Sequence, residues 1–318
     1  MGSPLIRDEL PGLSCMSSIY PSIQGRMEYV TPKKLGRVLP LSRPPHAHKG
    51  DFGRLLVVGG SSRYTGAPAL VGLAALRAGV DLVTICAPKE TALVISSYSP
   101  DLITVRLPCS DLEPEVVGTV LEEARNADAV VLGPGLGRSP ETYSAVLKLT
   151  SELNELGSPL LLDADGLKAV ASQKTLLKNP KLVVTPHAGE FELLVGKKLP
   201  GPERLEERAS MVRSASEELG CTILLKSHVD IIAGEGRVFL NHTGNPGMTV
   251  GGTGDVLAGI VGALLAQKVS PLMAASAGAY INGLAGDLCL KERGYWFTAS
   301  DLLDKIPEVL KRIWRGSR

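Results

Sequence analysis

Ala129-Val130-Val131-Leu132-Gly133-Pro134-Gly135-Leu136-Gly137 runs from four apolar residues straight into a glycine-rich turn, and Pro140–Leu156 behind it has helical character. Four successive apolar residues leave no polar face for solvent, so the run reads as a strand buried on both sides. The same succession of run, turn and helix recurs outward in both directions. Leu55–Val58, Leu82–Ala87 and Ile103–Leu107 precede it, and Leu160–Leu162, Leu182–Val184 and Thr222–Leu225 follow. Between them Pro68–Ala78, Pro114–Ala124, Gly166–Ser172 and Pro202–Leu219 read as helices. Asp230–Ala233 and Val238–Leu240, joined by Gly234-Glu235-Gly236, read as a late antiparallel hairpin. Two small-residue-rich helices, Val256–Gln267 and Pro271–Leu290, and an amphipathic one, Asp301–Trp314, complete the chain. The pattern predicts an α/β fold: three layers, α/β/α, with a mostly parallel central sheet and helices on both faces.

Composition narrows the function. The 318 residues are 44% hydrophobic and 21% charged, with a formal net charge of +1, which gives no electrostatic case for nucleic acid or an anionic membrane. At 4% aromatic content there is no stacking platform for single strands. Cys15, Cys86, Cys109, Cys221 and Cys289 form no CxxC pair, which fits a reducing compartment and argues against a structural zinc site. The longest apolar runs are interrupted by Gln267 and Lys268, or by Asn282 and Asp287, before they reach a bilayer's width. No basic-then-apolar signal pattern opens the chain, so a soluble cytoplasmic protein is expected. Residues 1–48, rich in Pro, Ser and Arg, are expected to be a loosely ordered extension with a short helix near Thr31–Val38; residues 49–318 are expected to form one domain.

In open parallel sheets ligands bind beyond the carboxyl ends of the strands. The unusual residues of this chain stand there. Gly59-Gly60-Ser61-Ser62, Gly133–Gly137, Asp163-Ala164-Asp165, Thr185-Pro186-His187-Ala188-Gly189-Glu190 and Lys226-Ser227-His228 each follow a strand. A further stretch, Asn245-Pro246-Gly247-Met248-Thr249-Val250-Gly251-Gly252-Thr253-Gly254-Asp255, leads into the apolar helix from Val256. Glycines at a helix start let backbone N–H groups converge, and the helix dipole adds positive potential, so the turn is suited to phosphate. No GxxxxGK[ST] sequence or dinucleotide fingerprint competes with it.

Several rim residues admit two readings. Asp255 beside an anion turn is either a general base, taking a proton from a hydroxyl that attacks a bound phosphoryl group, or a helix cap. His187 is either a ligand contact or part of a capping turn, and Glu190 suits a first helical turn on dipole grounds alone. Asp163 and Asp165 are suited to position magnesium through water, while Asp165 also reads as the N-cap of the next helix. Lys226 either neutralises phosphate, lines a nucleotide pocket or is simply solvated. Tyr64 and Gly66-Ala67-Pro68 offer a wall for a flat ligand.

Together with Lys49-Gly50-Asp51-Phe52-Gly53 and Tyr64–Pro68, these stretches resemble, in order from about Lys49 to the C-terminus, the ADP- or ATP-dependent NAD(P)H-hydrate dehydratases of the ribokinase-like superfamily. The resemblance implies dehydration of the S-epimer of NADH or NADPH hydrate, by phosphorylation of the ring hydroxyl and loss of phosphate. ADP or ATP would be the phosphoryl donor, with Mg2+. The family's hydrate site maps to Ala67, Gly135, His187 and Asp255, and its nucleotide site to Lys226, Ser227, His228, Val229, Asp230 and Gly254. Asn245, Gly251, Gly252 and Thr253 join the nucleotide site through the phosphate turn, and Gly252, Thr253 and Gly254 are expected to act with Asp255 in catalysis. No protein-ligated metal is expected. Family members commonly have glycine where this chain has Ser227. Many prokaryotic members carry an amino-terminal epimerase domain; the stretch before Lys49 is too short for one, so a separate epimerase is the expected partner, alongside a homo-oligomer. A hydroxyl kinase of the thiamine-precursor type shares the Gly-Thr-Gly-Asp turn and is the nearest rival; a non-catalytic nucleotide sensor is the other.

Overall fold

Leu55 and Val57 are buried in one core and Leu56 and Val58 in another, because successive strand residues point to opposite faces of a sheet. That alternation, without a polar residue on either side, places the strand between two helical layers. The computed structural model describes residues 27–316. The strands are β1 (Met27–Tyr29), β2 (Arg54–Val58), β3 (Leu82–Pro88), β4 (Ile103–Leu107) and β5 (Ala129–Leu132). They continue as β6 (Leu160–Leu162), β7 (Leu182–Val184), β8 (Thr222–Leu225), β9 (Asp230–Gly234) and β10 (Arg237–Asn241). All ten form one sheet in the order β1-β10-β9-β8-β7-β6-β5-β2-β3-β4. Among the described residues only β9 runs against its neighbours, β8 and β10. The expected three-layer, mostly parallel α/β architecture is borne out.

The helices are α1 (Pro32–Leu35), α2 (Gly66–Arg77), α3 (Lys89–Tyr98), α4 (Val117–Ala124), α5 (Pro140–Glu155) and α6 (Ala164–Val170). After them come α7 (Ala188–Val195), α8 (Leu205–Leu219), α9 (Thr253–Ala266), α10 (Pro271–Arg293) and α11 (Ala299–Gly316). Residues of α2, α9, α10 and α11 fill the core on one face of the sheet, and those of α4, α5, α6, α7 and α8 the core on the other. Small residues set the spacing on the first face. A methyl on Gly259 of α9 would lie 2.2 Å from the Val71 carbonyl of α2, so only glycine lets the two helices approach this closely. Strands β2, β5, β6, β7 and β8 are successive neighbours, which brings the loops after them into one rim.

Three elements depart from the sequence expectation. Helix α3 follows Pro88 directly; its mixture of Thr, Val, Ile and Ser carries little helical propensity, and Thr91, Ala92 and Ile95 are what it buries. Helix α7 is not among the expected helices, although it starts from the capping turn expected at His187, with Glu190 in its first turn. The third is a correction: residues 27–48 are not loosely ordered. Strand β1 pairs parallel with β10, Thr31 caps α1 through Lys34 N, and Leu35 is completely buried in the core shared with α11. Arg43 then ties the segment to the body by donating to Asp81 Oδ1 and the Gly79 carbonyl, each at 2.6 Å. The short helix expected near Thr31–Val38 is present as α1, while the three-residue strand β1 is too short to print a period on the sequence. The expectation for residues 1–26 lies outside the described residues. No helix among the described residues is long and apolar enough to cross a membrane.

Candidate active site

The glycine-rich turn is built from three side chains. Asn245 Oδ1 accepts the Gly247 N–H at 3.0 Å and turns the chain into a short 3-10 segment, Pro246–Thr249. Asp287 of α10 holds the start of the turn, accepting the Gly244 N–H at 3.1 Å and the Asn245 side-chain amide at 2.9 Å. Thr253 Oγ1 donates back to the Met248 carbonyl at 2.8 Å. Gly252, at φ +97°, sits in the left-handed region just before α9, and a methyl there would lie 2.7 Å from Leu70 Cδ1. Only glycine meets both demands. No side chain caps α9, so its first N–H groups have no side-chain acceptor and retain their attraction for an anion.

Asp255 occupies the third position of α9, after Gly252 at the cap, and its side chain makes no hydrogen bond among the described residues. The capping reading of Asp255 therefore does not describe the structure. Burial pushes its carboxyl up to about 7, the Asp163 charge adds to the rise, and Lys226 opposes it. A carboxyl poised there exchanges protons at neutral pH, which is what a general base requires.

Behind Asp255 lies a charge pair drawn from two strand ends. Asp163, 2% exposed at the end of β6, accepts the Thr185 hydroxyl at 2.8 Å and Lys226 Nζ at 3.0 Å. Burial works against the Lys226 charge, but Asp163, Glu190 and Asp255 outweigh it and hold its pKa above the ordinary lysine value. Lys226 is thus not a simply solvated lysine. A methyl on Gly254 would lie 3.6 Å from Nζ, so the ammonium flanks the first turn of α9.

The other expected contacts gather on the same rim. Gly135, at φ +69°, packs so closely that a methyl on it would stand 3.0 Å from Tyr64 Cβ and 3.2 Å from Ala67 Cβ. Gly60 N–H donates to the Pro134 carbonyl at 2.9 Å and locks the two glycine loops together. His187 caps α7: its Nδ1 accepts the Glu190 N–H at 3.3 Å while Glu190 returns a carboxylate oxygen to the His187 N–H at 3.1 Å. Its side chain stays 59% exposed, so the capping role and a ligand contact are compatible. The Lys226 N–H donates to the Pro186 carbonyl at 2.9 Å, which sets His187 beside Lys226.

One expectation is corrected. Asp165 is not the N-cap of α6; Asp163 stands at that position, and Asp165 instead accepts Gly137 N–H, Arg138 Nε and Lys168 Nζ at 3.1–3.2 Å. Its carboxylate is occupied in tying the Gly133–Gly137 loop to α6. Between them Ala164 takes φ +51°, a left-handed conformation costing an alanine about 1–2 kcal/mol. Asp230, within the expected nucleotide stretch, fixes that loop: it accepts Ser227 N–H and the Asn241 amide, each at 3.0 Å, and burial raises it to about 6. Val229 is buried in the core, while Ser227 and His228 reach solvent. The non-glycine residues with positive φ among those described are Ala164, Glu235 and Lys268, so Ser227 occupies its position without strain. Asp287 and Thr185 were not assigned roles from sequence; the signal for Asp287 was an acid inside an apolar helical run.

Residues 55–308 match a family model described as NAD(P)H-hydrate dehydratase. The chain is 44% identical over 274 residues to the bifunctional NAD(P)H-hydrate repair enzyme Nnr of Pyrobaculum aerophilum, covering 86% of this chain and 54% of that protein. It is 41% identical over 271 residues to the ADP-dependent (S)-NAD(P)H-hydrate dehydratase of Nitrosopumilus maritimus, covering 85% of this chain and 92% of that one. The chain spans about half the length of the bifunctional relatives it matches. Among solved structures it is similar to the ADP/ATP-dependent NAD(P)H-hydrate dehydratase from Bacillus subtilis co-crystallised with ATP/Mg2+. That likeness has a TM-score of 0.74 and 27% identity, over 90% of this chain and 99% of that one.

Proposed function

The chain belongs to the NAD(P)H-hydrate dehydratase family, and on that premise we propose that it dehydrates the S-epimer of NADH or NADPH hydrate, using ADP or ATP as phosphoryl donor. The observation that carries the proposal is the Asp255 carboxyl. It is raised to about 7, makes no hydrogen bond of its own, and opens the helix that follows an uncapped glycine turn. A proton acceptor beside an anion hole suits attack of a hydroxyl on a phosphoryl group.

Hydroxide is a poor leaving group and phosphate a good one. Asp255 takes the proton of the ring hydroxyl as its oxygen attacks the terminal phosphoryl of the nucleotide, and AMP or ADP leaves. The Gly252, Thr253 and Gly254 backbone of the turn stabilises the charge that develops. The lone pair of the ring nitrogen then expels phosphate, and the adjacent ring carbon loses a proton to restore the double bond. Ala67, Gly135 and His187 contact the hydrate in this reading. Lys226 to Asp230, with Asn245 and Gly251, border the nucleotide, and Lys226 faces its phosphates.

Among the described residues no group of three or more His, Cys, Asp or Glu side chains is arranged to hold a metal ion, and Asp163 is engaged by Thr185 and Lys226. These residues fit Mg2+ that arrives on the nucleotide phosphates and keeps its waters, neutralising phosphate charge there. A homo-oligomer and a separate epimerase acting on the same hydrate complete the proposal.

The test is near-ultraviolet absorbance of NADH hydrate mixed with the protein, Mg2+ and either ADP or ATP. Recovery of the dihydronicotinamide band with stoichiometric phosphate is expected. A stable phosphorylated product without recovery of the band would replace the dehydratase by a kinase.

A further inference from the structure

Two arginines stand on the outer wall of the site and have no part in the reaction described above. Arg63 carries its guanidinium carbon 5.3 Å from the centre of the Tyr64 ring; it is exposed and has no acidic partner among the described residues. Arg138 follows the Gly133–Gly137 loop, is 66% exposed, and is oriented by Asp165 through a 3.1 Å contact at Nε. It also lies within electrostatic reach of Tyr64 and Tyr143. Tyr64 is 44% exposed. The loop that presents Arg63 and Tyr64 is fixed by Asp111, whose Oδ1 accepts the Ser62 N–H at 2.9 Å.

A continuous track joins this wall to the base. Gly252, at the start of α9, abuts Leu70; Ala67 lies one turn earlier on α2; Gly135 abuts both Ala67 and Tyr64. From Leu70 to Ala67 the helix advances about 4.5 Å, at roughly 1.5 Å per residue. A dinucleotide whose ring lies at Asp255 must carry its own phosphates outward, because the α9 turn serves the phosphates of the donor. Inward, the cations of the rim are already engaged: Lys226 by Asp163, and Lys168 by Asp165 and Glu190. Along the track the chain offers two guanidinium groups and an aromatic face. Guanidinium is the side chain best shaped for paired hydrogen bonds to phosphate.

We propose that Arg63 and Arg138, both close to Tyr64, bind the pyrophosphate of the hydrate's dinucleotide, with Tyr64 as the flat wall along which the tail lies. The assignment rests on the dehydratase reading and adds to it the group that recognises the part of the substrate remote from the chemistry. It makes the anchor common to the NADH and NADPH hydrates, since both carry the pyrophosphate and only the second has a further phosphate on its ribose.

The test is direct titration of NADH and of NADPH, the reaction products, into wild type, Arg63→Ala, Arg63→Lys and the Arg63→Ala/Arg138→Ala double variant. Arg63→Ala is the cleaner single change, because Arg138→Ala also releases Asp165. The double variant is expected to weaken both ligands about tenfold, corresponding to ~1.4 kcal/mol, more at low salt than at high. Arg63→Lys should recover part of the loss, and ADP affinity reports that the opposite wall is intact. Weakening of NADPH alone would move the contact to the ribose phosphate and overturn the pyrophosphate assignment; unchanged affinity for both would remove the subsite. A wild type that binds both ligands but fails to turn over the hydrate would count against the dehydratase reading, while the titrations would still decide the role of the arginines.

Discussion

Lys226 Nζ and Asp163 Oδ1 are 3.0 Å apart, joining the ends of β8 and β6 across the intervening β7. The same carboxylate oxygen accepts the Thr185 hydroxyl from the end of β7, so three neighbouring strands meet in one buried polar contact. Asp255 feels both members of the pair, raised by Asp163 and lowered by Lys226. Replacing Asp163 by Asn removes the like charge, so the Asp255 carboxyl ionises at lower pH. The acid limb of the kcat/KM profile is then expected to move to lower pH, whatever the loss in absolute rate. An acid limb that stays in place in Asp163→Asn would separate the pair from the base.

Burial of Asp255 also has a cost in stability that depends on pH. Its folded-state pKa of about 7 lies above the roughly 3.9 of an unfolded aspartate. The folded chain holds that proton more tightly, so the stabilisation is complete below about pH 4 and is lost as pH rises through about 7. Asp255→Asn cannot ionise. It is expected to unfold at a higher temperature than wild type at pH 8, by an amount on the order of 1–3 kcal/mol, and to differ little near pH 4. Thermal scans at the two pH values check this; equal gains at both would point to packing instead.

The alternation of β2, β5, β6, β7 and β8 with helices was legible because each strand is apolar on both faces and ends in a turn. The phosphate turn was legible because glycines and Asp255 stand together in sequence. What joins the site was not. Asp163 and Lys226 are 63 positions apart and Asp163 and Thr185 22, and nothing local to any of them announces the pairing. Asp165 reads as a capping or magnesium-positioning acid because the sequence shows the carboxylate and not the Gly137 N–H, Arg138 and Lys168 that occupy it. Strand β1 escaped notice because three residues carry no pattern, and its partner β10 lies about two hundred positions away.

Asp287 predicts a division of labour in the phosphate turn. Its carboxylate holds Gly244 and Asn245, and it lies on α10 rather than on the turn itself. Asp287→Ala is expected to raise the KM for nucleotide about tenfold, corresponding to ~1.4 kcal/mol, with the KM for hydrate changing far less. A parallel rise in both constants would show a general loss of the site.

Leu35 tests whether the segment before Lys49 belongs to the packed body. It is fully buried beside α11. Leu35→Ala is expected to destabilise the protein by about 2–5 kcal/mol, measured by denaturant unfolding. A change near zero would return residues 27–48 to the status of a loose extension.

Asp255→Asn is the direct test that Asp255 is the base for phosphoryl transfer to the hydrate. Turnover of NADH hydrate and ADP binding are measured on the same preparation. Turnover is expected to fall by about 10²–10⁴-fold, with ADP affinity within a few-fold of wild type. Turnover near the wild-type rate in a variant that binds ADP normally would show that another group takes the hydroxyl proton.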